Sequence, residues 1–201
     1  LDFQHYWQCR PGALRNSGNR RHRAHMDKQG GQIQRLSTST EADKAIKLYD
    51  QVYAKSWQPS EPFLRFLPTL IRYGFDQGTT SVWVLLTEDE RPIAAQIWVE
   101  HGRKATIFKL AYDQDWRKQS PGTVLTMAAM DYALTHGDID EIDFGWGDDP
   151  YKRDWLPLRR QRYGLAAYNP RTAAGLAAAA RNLLPLVARR LFGKEPAKAK
   201  N

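Results

Sequence analysis

One stretch of this sequence, DFGWGDDPYKRDW (143–155), gathers acid, base, phenol and indole within thirteen residues. Asp143, Asp148 and Asp149 can accept a proton, Tyr151 can donate one, Lys152 can hold an anion, and Trp146 and Trp155 offer stacking surface. Such a mixture is either a crowded solvated turn or a place where chemistry is done. Further upstream, SPG (120–122) stands at the start of an apolar helical pattern. A helix start offers unpaired N–H groups and the positive end of the helix dipole, and Gly122 has no side chain to keep a phosphate away. The alternative is that Ser-Pro-Gly is simply a good way to begin a helix. Lys109 is the third singular residue, since it lies mid-strand, where lysine is unfavourable.

Other chemistries find little support. GWGDDP (145–150) lacks the third glycine of a dinucleotide-binding turn, and Pro150 stands where the helix would start. There is no GxxxxGK[ST] motif. Cys9 and His5 have helical spacing but precede the core of the pattern, so the pair reads as accidental. A single cysteine excludes an internal disulfide and a thiolate zinc cluster, and fits a reducing compartment. His22 and His25 lie among arginines that repel a cation, so no metal site is expected.

The elements that must position these residues follow from periodicity. Weak helices are predicted over 2–9 and 12–29, the second basic (Arg15, Arg20, Arg21, Arg23, Lys28) and interrupted by Gly18. Gly30-Gly31 stops it, and 32–37 alternates as an edge strand does. Thr40 caps a helix to about Trp57, whose indole reads as core or as a substrate platform. A second helix covers 62–75 and ends at Gly74 or Gly78. Strands 79–87, 93–101 and 104–113 are joined by loops too short for anything but antiparallel hairpins. A helix then runs from Pro121, with Ser120 as N-cap, to a stop at Gly137. A strand at 140–145 completes the unit, and 160–169 offers one more. The order is α+β with a mixed sheet. If 104–113 and 140–145 are parallel neighbours, a ligand can lie beyond their C-terminal ends, where Lys109, Tyr112 and Asp113 meet the 143–155 loop.

Length and composition set the frame. At 201 residues, with 42% aliphatic and aromatic residues, the chain is globular and long enough for one domain with appendages. No apolar run is long enough to span a bilayer, which predicts a soluble body. The chain opens on Leu1, no signal-peptide pattern is read there, and residues 1–30 are open to being the remnant of a longer chain. The net charge of +8 is uneven. Residues 1–35 hold seven Lys/Arg against two Asp/Glu, residues 152–201 hold twelve against two, and residues 36–151 hold eleven against eighteen. Basic ends around an acidic middle fit an anionic partner (nucleic acid, acidic lipid or a phosphorylated cofactor) or mere solvation. Three regions are expected: a basic helical segment (1–30), the main domain (31–169), and a basic amphipathic helix with a tail (170–201). In 171–192, Leu176, Ala180, Leu183, Leu184, Val187 and Leu191 share a face away from Arg181, Arg189 and Arg190. That helix, kinked at Pro185, rests on an anionic membrane or packs on protein.

The element order, with FKLAYD (108–113), SPGTVL (120–125) and DFGWGDDPYKRDW (143–155), resembles the GNAT acyltransferase fold. More narrowly, it is similar to CelD-like acetyltransferases of cellulose and exopolysaccharide biosynthesis, relatives of FemAB-type aminoacyltransferases, over roughly residues 10–165. The resemblance implies a cytoplasmic enzyme, peripheral at the inner membrane if 171–192 attaches it. It would move an acyl group, acetyl first, from acyl-CoA to an amine or hydroxyl of a saccharide or related envelope precursor. The alternatives are an aminoacyl-tRNA-dependent transferase gripping tRNA with its basic segment, and a non-catalytic module binding polyanion or membrane. The family's pyrophosphate loop maps to Gln119, Gly122 and Val124, the last departing from the small residue expected. Gln119, Ser120, Pro121, Gly122 and Thr123 would hold the donor's phosphates, and backbone N–H groups of Lys109, Leu110 and Ala111 would polarise the thioester. Asp143, opposite in facing to Ile142 and Phe144, would be the general base, or a carboxylate holding Lys152 or a turn. Asp148, directly after Gly147, is the second base or a turn residue. Tyr151 or Tyr112 would protonate the leaving thiolate, Tyr151 otherwise packing on Trp155. Trp57, Lys152 and Trp155 would meet the acceptor.

Overall fold

Val82, Val84 and Leu86 alternate with Ser81, Trp83 and Leu85 along one strand, and both sets are buried. A strand buried on both sides needs a layer of helices on each. The computed structural model describes residues 2–27, 30–136 and 139–192. Its elements are α1 (Phe3–Gln8), α2 (Gly12–Met26), β1 (Gln32–Leu36), α3 (Ala42–Tyr53), α4 (Phe66–Asp76), β2 (Thr80–Leu86), β3 (Pro92–His101), β4 (Lys104–Tyr112), α5 (Pro121–His136), β5 (Glu141–Asp143), α6 (Pro150–Trp155) and α7 (Ala173–Phe192). The strands form one sheet in the order β1-β2-β3-β4-β5. Every pair is antiparallel except β4 with β5, which is parallel. The α+β class, the antiparallel meander and the mixed sheet are those the sequence predicts.

One sheet face packs Trp83, Leu85, Ile93, Ala94 and Trp98 against α1 and α5. The other packs Val82, Val84, Leu86, Ala95, Ile97 and Ala111 against α3 and α4. Because α1 and α2 cover its outer side, α5 is buried nearly all round, at Val124, Leu125, Met127, Ala129, Met130 and Ala133. Truncating a side chain such as Leu125, which is wholly buried, is expected to cost about 2–5 kcal/mol.

Several expectations are corrected. Gly18 does not interrupt α2. A Cβ there would lie 2.9 Å from the Trp7 ring, so the glycine lets α2 approach α1 closely. Thr38 rather than Thr40 opens the next helical segment, through a capping box with Glu41 that starts a 3₁₀ turn at Ser39–Glu41. That helix ends at Tyr53, short of Trp57. The helix expected over 62–75 starts later, at Phe66, and runs through Gly74 to Asp76. β5 stops at Asp143 instead of 145, because the chain turns away at Gly145, whose φ is +69°. Residues 160–169 form no strand: Tyr163 is 85% and Leu165 98% exposed, so the alternation has no surface to bury against. The expected stop at Gly137, and Lys28 of the basic helix, lie outside the described residues.

The domain limits differ as well. One compact unit is Leu1–Arg159 and the other Arg160–Asn201, so the break precedes residue 169. No boundary falls at residue 30, because Phe3 and Trp7 belong to the core formed with Trp83 and Leu125.

Candidate active site

β4 pairs with β5 over only three residues, Lys104 to Thr106, opposite Glu141 to Asp143. Beyond Gly145 the chain departs, and Ile107–Tyr112 continues along β3 with a gap on its other side. A bulge at Phe108, between the pairs Trp98–Ile107 and Ile97–Lys109, accentuates the bend. The Asp113 N–H donates to Ile93 O at 2.9 Å, which fixes the alternation of backbone groups along β4. Lys109 and Ala111 therefore direct theirs to β3, while Leu110 and Tyr112 direct theirs into the gap. Gln58 Nε2 reaches Leu110 O there at 3.3 Å. Of the three residues expected to polarise a carbonyl, Leu110 turns its N–H into the gap, as Tyr112 does, while Lys109 and Ala111 turn theirs to β3.

The start of α5 faces this gap. Ser120 precedes Pro121 in the left-handed region, φ 49° and ψ 56°, rather than in the extended conformation of an ordinary N-cap. A Cβ on Gly122 would lie 3.4 Å from Leu110 and 3.6 Å from Tyr112, so any longer side chain would enter the space between β4 and α5. Two buried ties fix this helix start. Gln96, wholly buried on β3, donates through Nε2 to Thr126 Oγ1 at 2.6 Å and accepts from Trp98 Nε1 at 2.8 Å. Thr126 in turn donates to Gly122 O at 2.8 Å. On the other side, His25 of α2 places Nε2 3.2 Å from Gln119 O. A carbonyl only accepts, so Nε2 carries the proton.

A cavity of about 460 Å³ occupies the gap. Among its lining residues are Trp57, Leu110, Tyr112, Ser120, Gly122, Thr123, Tyr151 and Trp155, all singled out in the sequence. Lys109 is not among them, because its side chain goes to the opposite sheet face and pairs with Glu61. Ala111 is buried on that same face. Gln119 and Pro121 sit beside the cavity without lining it, Gln119 held by His25 and Pro121 buried. The wall also includes Ala13, Leu14, Ser17 and Arg21 of α2, with Arg117, Thr126 and Asp154. These were missed, although the basic 10–29 segment was the signal, since it places Arg21 on this wall. Neither Arg21 nor Arg117 has a carboxylate partner among the described residues, so both are available to an anion.

The 143–155 loop divides into two parts. Asp143 accepts from Lys104 Nζ at 2.6 Å through one oxygen and from the Gly145 N–H at 2.8 Å through the other. It holds the turn at Gly145 and is not among the residues that line the cavity. Asp148 pairs with Arg153 at 3.3 Å and Arg159 at 3.1 Å, outside the cavity. Lys152 donates to Trp146 O and pairs with Asp149 at 3.1 Å, which braces the loop. Trp155 is a buried floor against Trp7, and its carbonyl accepts from Tyr6 and Arg10. Tyr151 lines the cavity, and burial, with Asp149 adding to it, raises its pKa, so the phenol keeps its proton at neutral pH. Trp57 lies against Tyr112 with ring centroids 4.4 Å apart, forming the opposite wall. Among the described residues no group of three or more His, Cys, Asp or Glu is arranged to hold a metal.

Residues 15–153 match the family model of the acetyltransferase (GNAT) domain, and the chain belongs to that family. It is a GNAT-type acyltransferase, the class whose members use acetyl-CoA. Among solved structures, a possible acetyltransferase from Clostridium difficile 630 superimposes with a TM-score of 0.51 at 13% identity, over 69% of this chain and 97% of the other. A predicted acetyltransferase from Clostridium acetobutylicum, solved with acetyl-CoA, gives a TM-score of 0.50 at 11% identity, over 68% of this chain and 95% of the other. At these identities the likeness is one of fold. No curated protein matches the sequence.

Proposed function

We propose that the β4–α5 cavity binds an acyl-CoA, acetyl-CoA first, and that the acyl group passes to an amine or hydroxyl of a saccharide or related envelope precursor. One observation supports this reading above the others: the open backbone edge at Leu110 and Tyr112 faces the α5 start at Gly122, with Arg21 and Arg117 on the same wall. Arg21, Arg117 and the Gly122 N–H suit a pyrophosphate. The Leu110 and Tyr112 N–H groups suit a thioester carbonyl on which negative charge develops. In the transfer the acceptor's nitrogen or oxygen bonds to the acyl carbon and the C–S bond breaks. The acceptor's proton leaves to a carboxylate or ordered water, and Tyr151 gives its phenolic proton to the thiolate. The CelD-like placement, and with it the saccharide acceptor, rests on the three sequence motifs and is part of this proposal.

Calorimetric titration with acetyl-CoA tests it. The wild-type chain should bind, and Arg117→Gln and Arg21→Gln should each weaken binding about tenfold, as loss of a charge-assisted contact does. Absence of acetyl-CoA binding by the wild type would overturn it.

A second proposal concerns α7, whose Leu176, Leu183 and Leu184 are 56%, 49% and 64% exposed in a helix that carries Arg181. We infer that this helix rests on anionic lipid and keeps a cytoplasmic enzyme at the inner membrane surface. No helix among the described residues is long and apolar enough to cross a membrane. Co-sedimentation with anionic vesicles at low salt should be positive and should fade as salt screens the basic face. No sedimentation at low salt would end the idea.

A further inference from the structure

α6 divides its residues by face. Tyr151, Asp154 and Trp155 stand at i, i+3 and i+4, one stripe of a helix, and all three line the donor cavity. Lys152 and Arg153, between them, turn to Asp149 and Asp148 and hold the preceding loop. The stripe is fixed from behind. Trp155 is buried against Trp7, with ring centroids 5.5 Å apart, and its carbonyl accepts from Tyr6 Oη at 2.7 Å and from Arg10 Nη1 at 2.9 Å. The helix therefore presents Asp154 to the cavity from a fixed place.

Among the described residues that line this cavity, Asp154 is the only carboxylate, and no histidine or cysteine joins it. The other polar side chains there are poor proton acceptors: arginine has no accepting site, the hydroxyls of Ser17, Ser120, Thr123 and Thr126 stay neutral, and the Tyr151 phenol keeps its own proton. Asp154 also has no ion-pair partner among the described residues, whereas Asp148 and Asp149 are both engaged. Beside Arg21 and Arg117, an unpaired carboxylate weakens the hold on an anionic donor, so its presence on this wall calls for another use.

We propose that Asp154 is the general base of acyl transfer, an assignment that rests on the reading of this cavity as the acyl-CoA site. As the acceptor's nitrogen or oxygen bonds to the acyl carbon, its proton passes to the Asp154 carboxylate. The C–S bond breaks, and the sulfur takes the phenolic proton of Tyr151, one helical turn away. One proton is taken and one is given. Tyr151 is half-exposed and Asp154 exposed, so Asp154 returns its proton to water and Tyr151 recovers one from it. Of the carboxylates in 143–155, Asp143 holds the turn at Gly145, Asp148 and Asp149 hold the loop, and Asp154 alone lines the cavity.

Two measurements on the full chain test it: calorimetry with acetyl-CoA, and thiol release from acetyl-CoA with water alone or glucosamine as acceptor. Because Asp154 is exposed and unpaired, Asp154→Asn should fold and unfold at the wild-type temperature. Its turnover should fall about a hundredfold or more, as loss of a general base does, while acetyl-CoA affinity stays at or above the wild-type value. Asp154→Ala should lose turnover as well and recover it as formate, a small carboxylate, is added. A variant that had lost only a structural contact would not respond to formate. Unchanged turnover in Asp154→Asn, acetyl-CoA affinity falling together with turnover, no recovery with formate, or a wild type that binds acetyl-CoA and releases thiol with neither acceptor would each overturn the proposal. No acetyl-CoA binding by the wild type would overturn the donor reading, and this assignment with it, and calorimetry shows that before any turnover is measured.

Discussion

His25 is 2% exposed where α2 meets the donor loop. Burial lowers its pKa below the usual histidine value, and His22 adds to that, while the bond to Gln119 works in the opposite direction. Above about pH 6.5 the ring is neutral in both the folded and unfolded chain, so its full contribution to stability is present there. As pH falls below that value the unfolded chain takes the proton first, and stability is lost down through the folded pKa. Thermal unfolding should therefore shift to lower temperature between pH 7.5 and pH 5, and His25→Gln, which keeps a donor for Gln119 O, should flatten that dependence. Gly122 is tested differently. Its missing Cβ would meet Leu110 and Tyr112 at ordinary contact distance, so Gly122→Ala should fold and bind. Gly122→Glu sends a carboxylate into the cavity, and calorimetry should show acetyl-CoA affinity reduced about a hundredfold or more by like-charge repulsion.

The β4–β5 junction shows how one element shapes the site. Three paired residues join the strands, and the Asp143 carboxylate holds the point where they separate, through Lys104 and the Gly145 N–H. Asp143→Asn keeps the shape but loses the ion pair, and Lys104 is 32% exposed, so the stability cost is expected to be small, about 1 kcal/mol. Because the turn opens the cavity, donor affinity and turnover should fall together in this variant. Steady-state kinetics beside calorimetry checks the point: a fall in turnover alone would support Asp143 as the base. Periodicity made β2, β3, β4 and α5 legible in the sequence, since each is long and bounded by clear turn residues. The early end of β5 was not legible, because Gly145 reads as part of an apolar strand until its positive φ is seen. The conformation of Ser120 was hidden for the same reason, as Ser-Pro-Gly spells an ordinary helix start.

At the scale of the whole molecule, all residues that line the donor cavity lie at or before Trp155, within the unit that ends at Arg159. Residues 156–169 form no helix or strand and carry exposed Arg159, Arg160 and Arg162. Brief trypsin treatment should cut there early, and the larger fragment should retain acetyl-CoA binding. Loss of binding with that cut would show that the second unit contributes to the site.

The sequence by itself determined the family, the α+β class, the meander and the helix that bears the donor loop. Those are properties of local period and short connections, which the chain carries wherever it folds. It also marked most of the residues on the cavity wall, because glycine, tyrosine and tryptophan are conspicuous beside strand ends. Only the tertiary structure decided which of the marked polar residues face the cavity. Asp143, Asp148, Lys109 and Lys152 each found an ion-pair partner, and for Asp143 and Lys109 that partner lies far away in sequence, at Lys104 and Glu61. The place of Arg21 on the cavity wall was equally beyond reach. It depends on which helix covers which face of the sheet, a choice settled by long-range packing and not by the residues on either side of it.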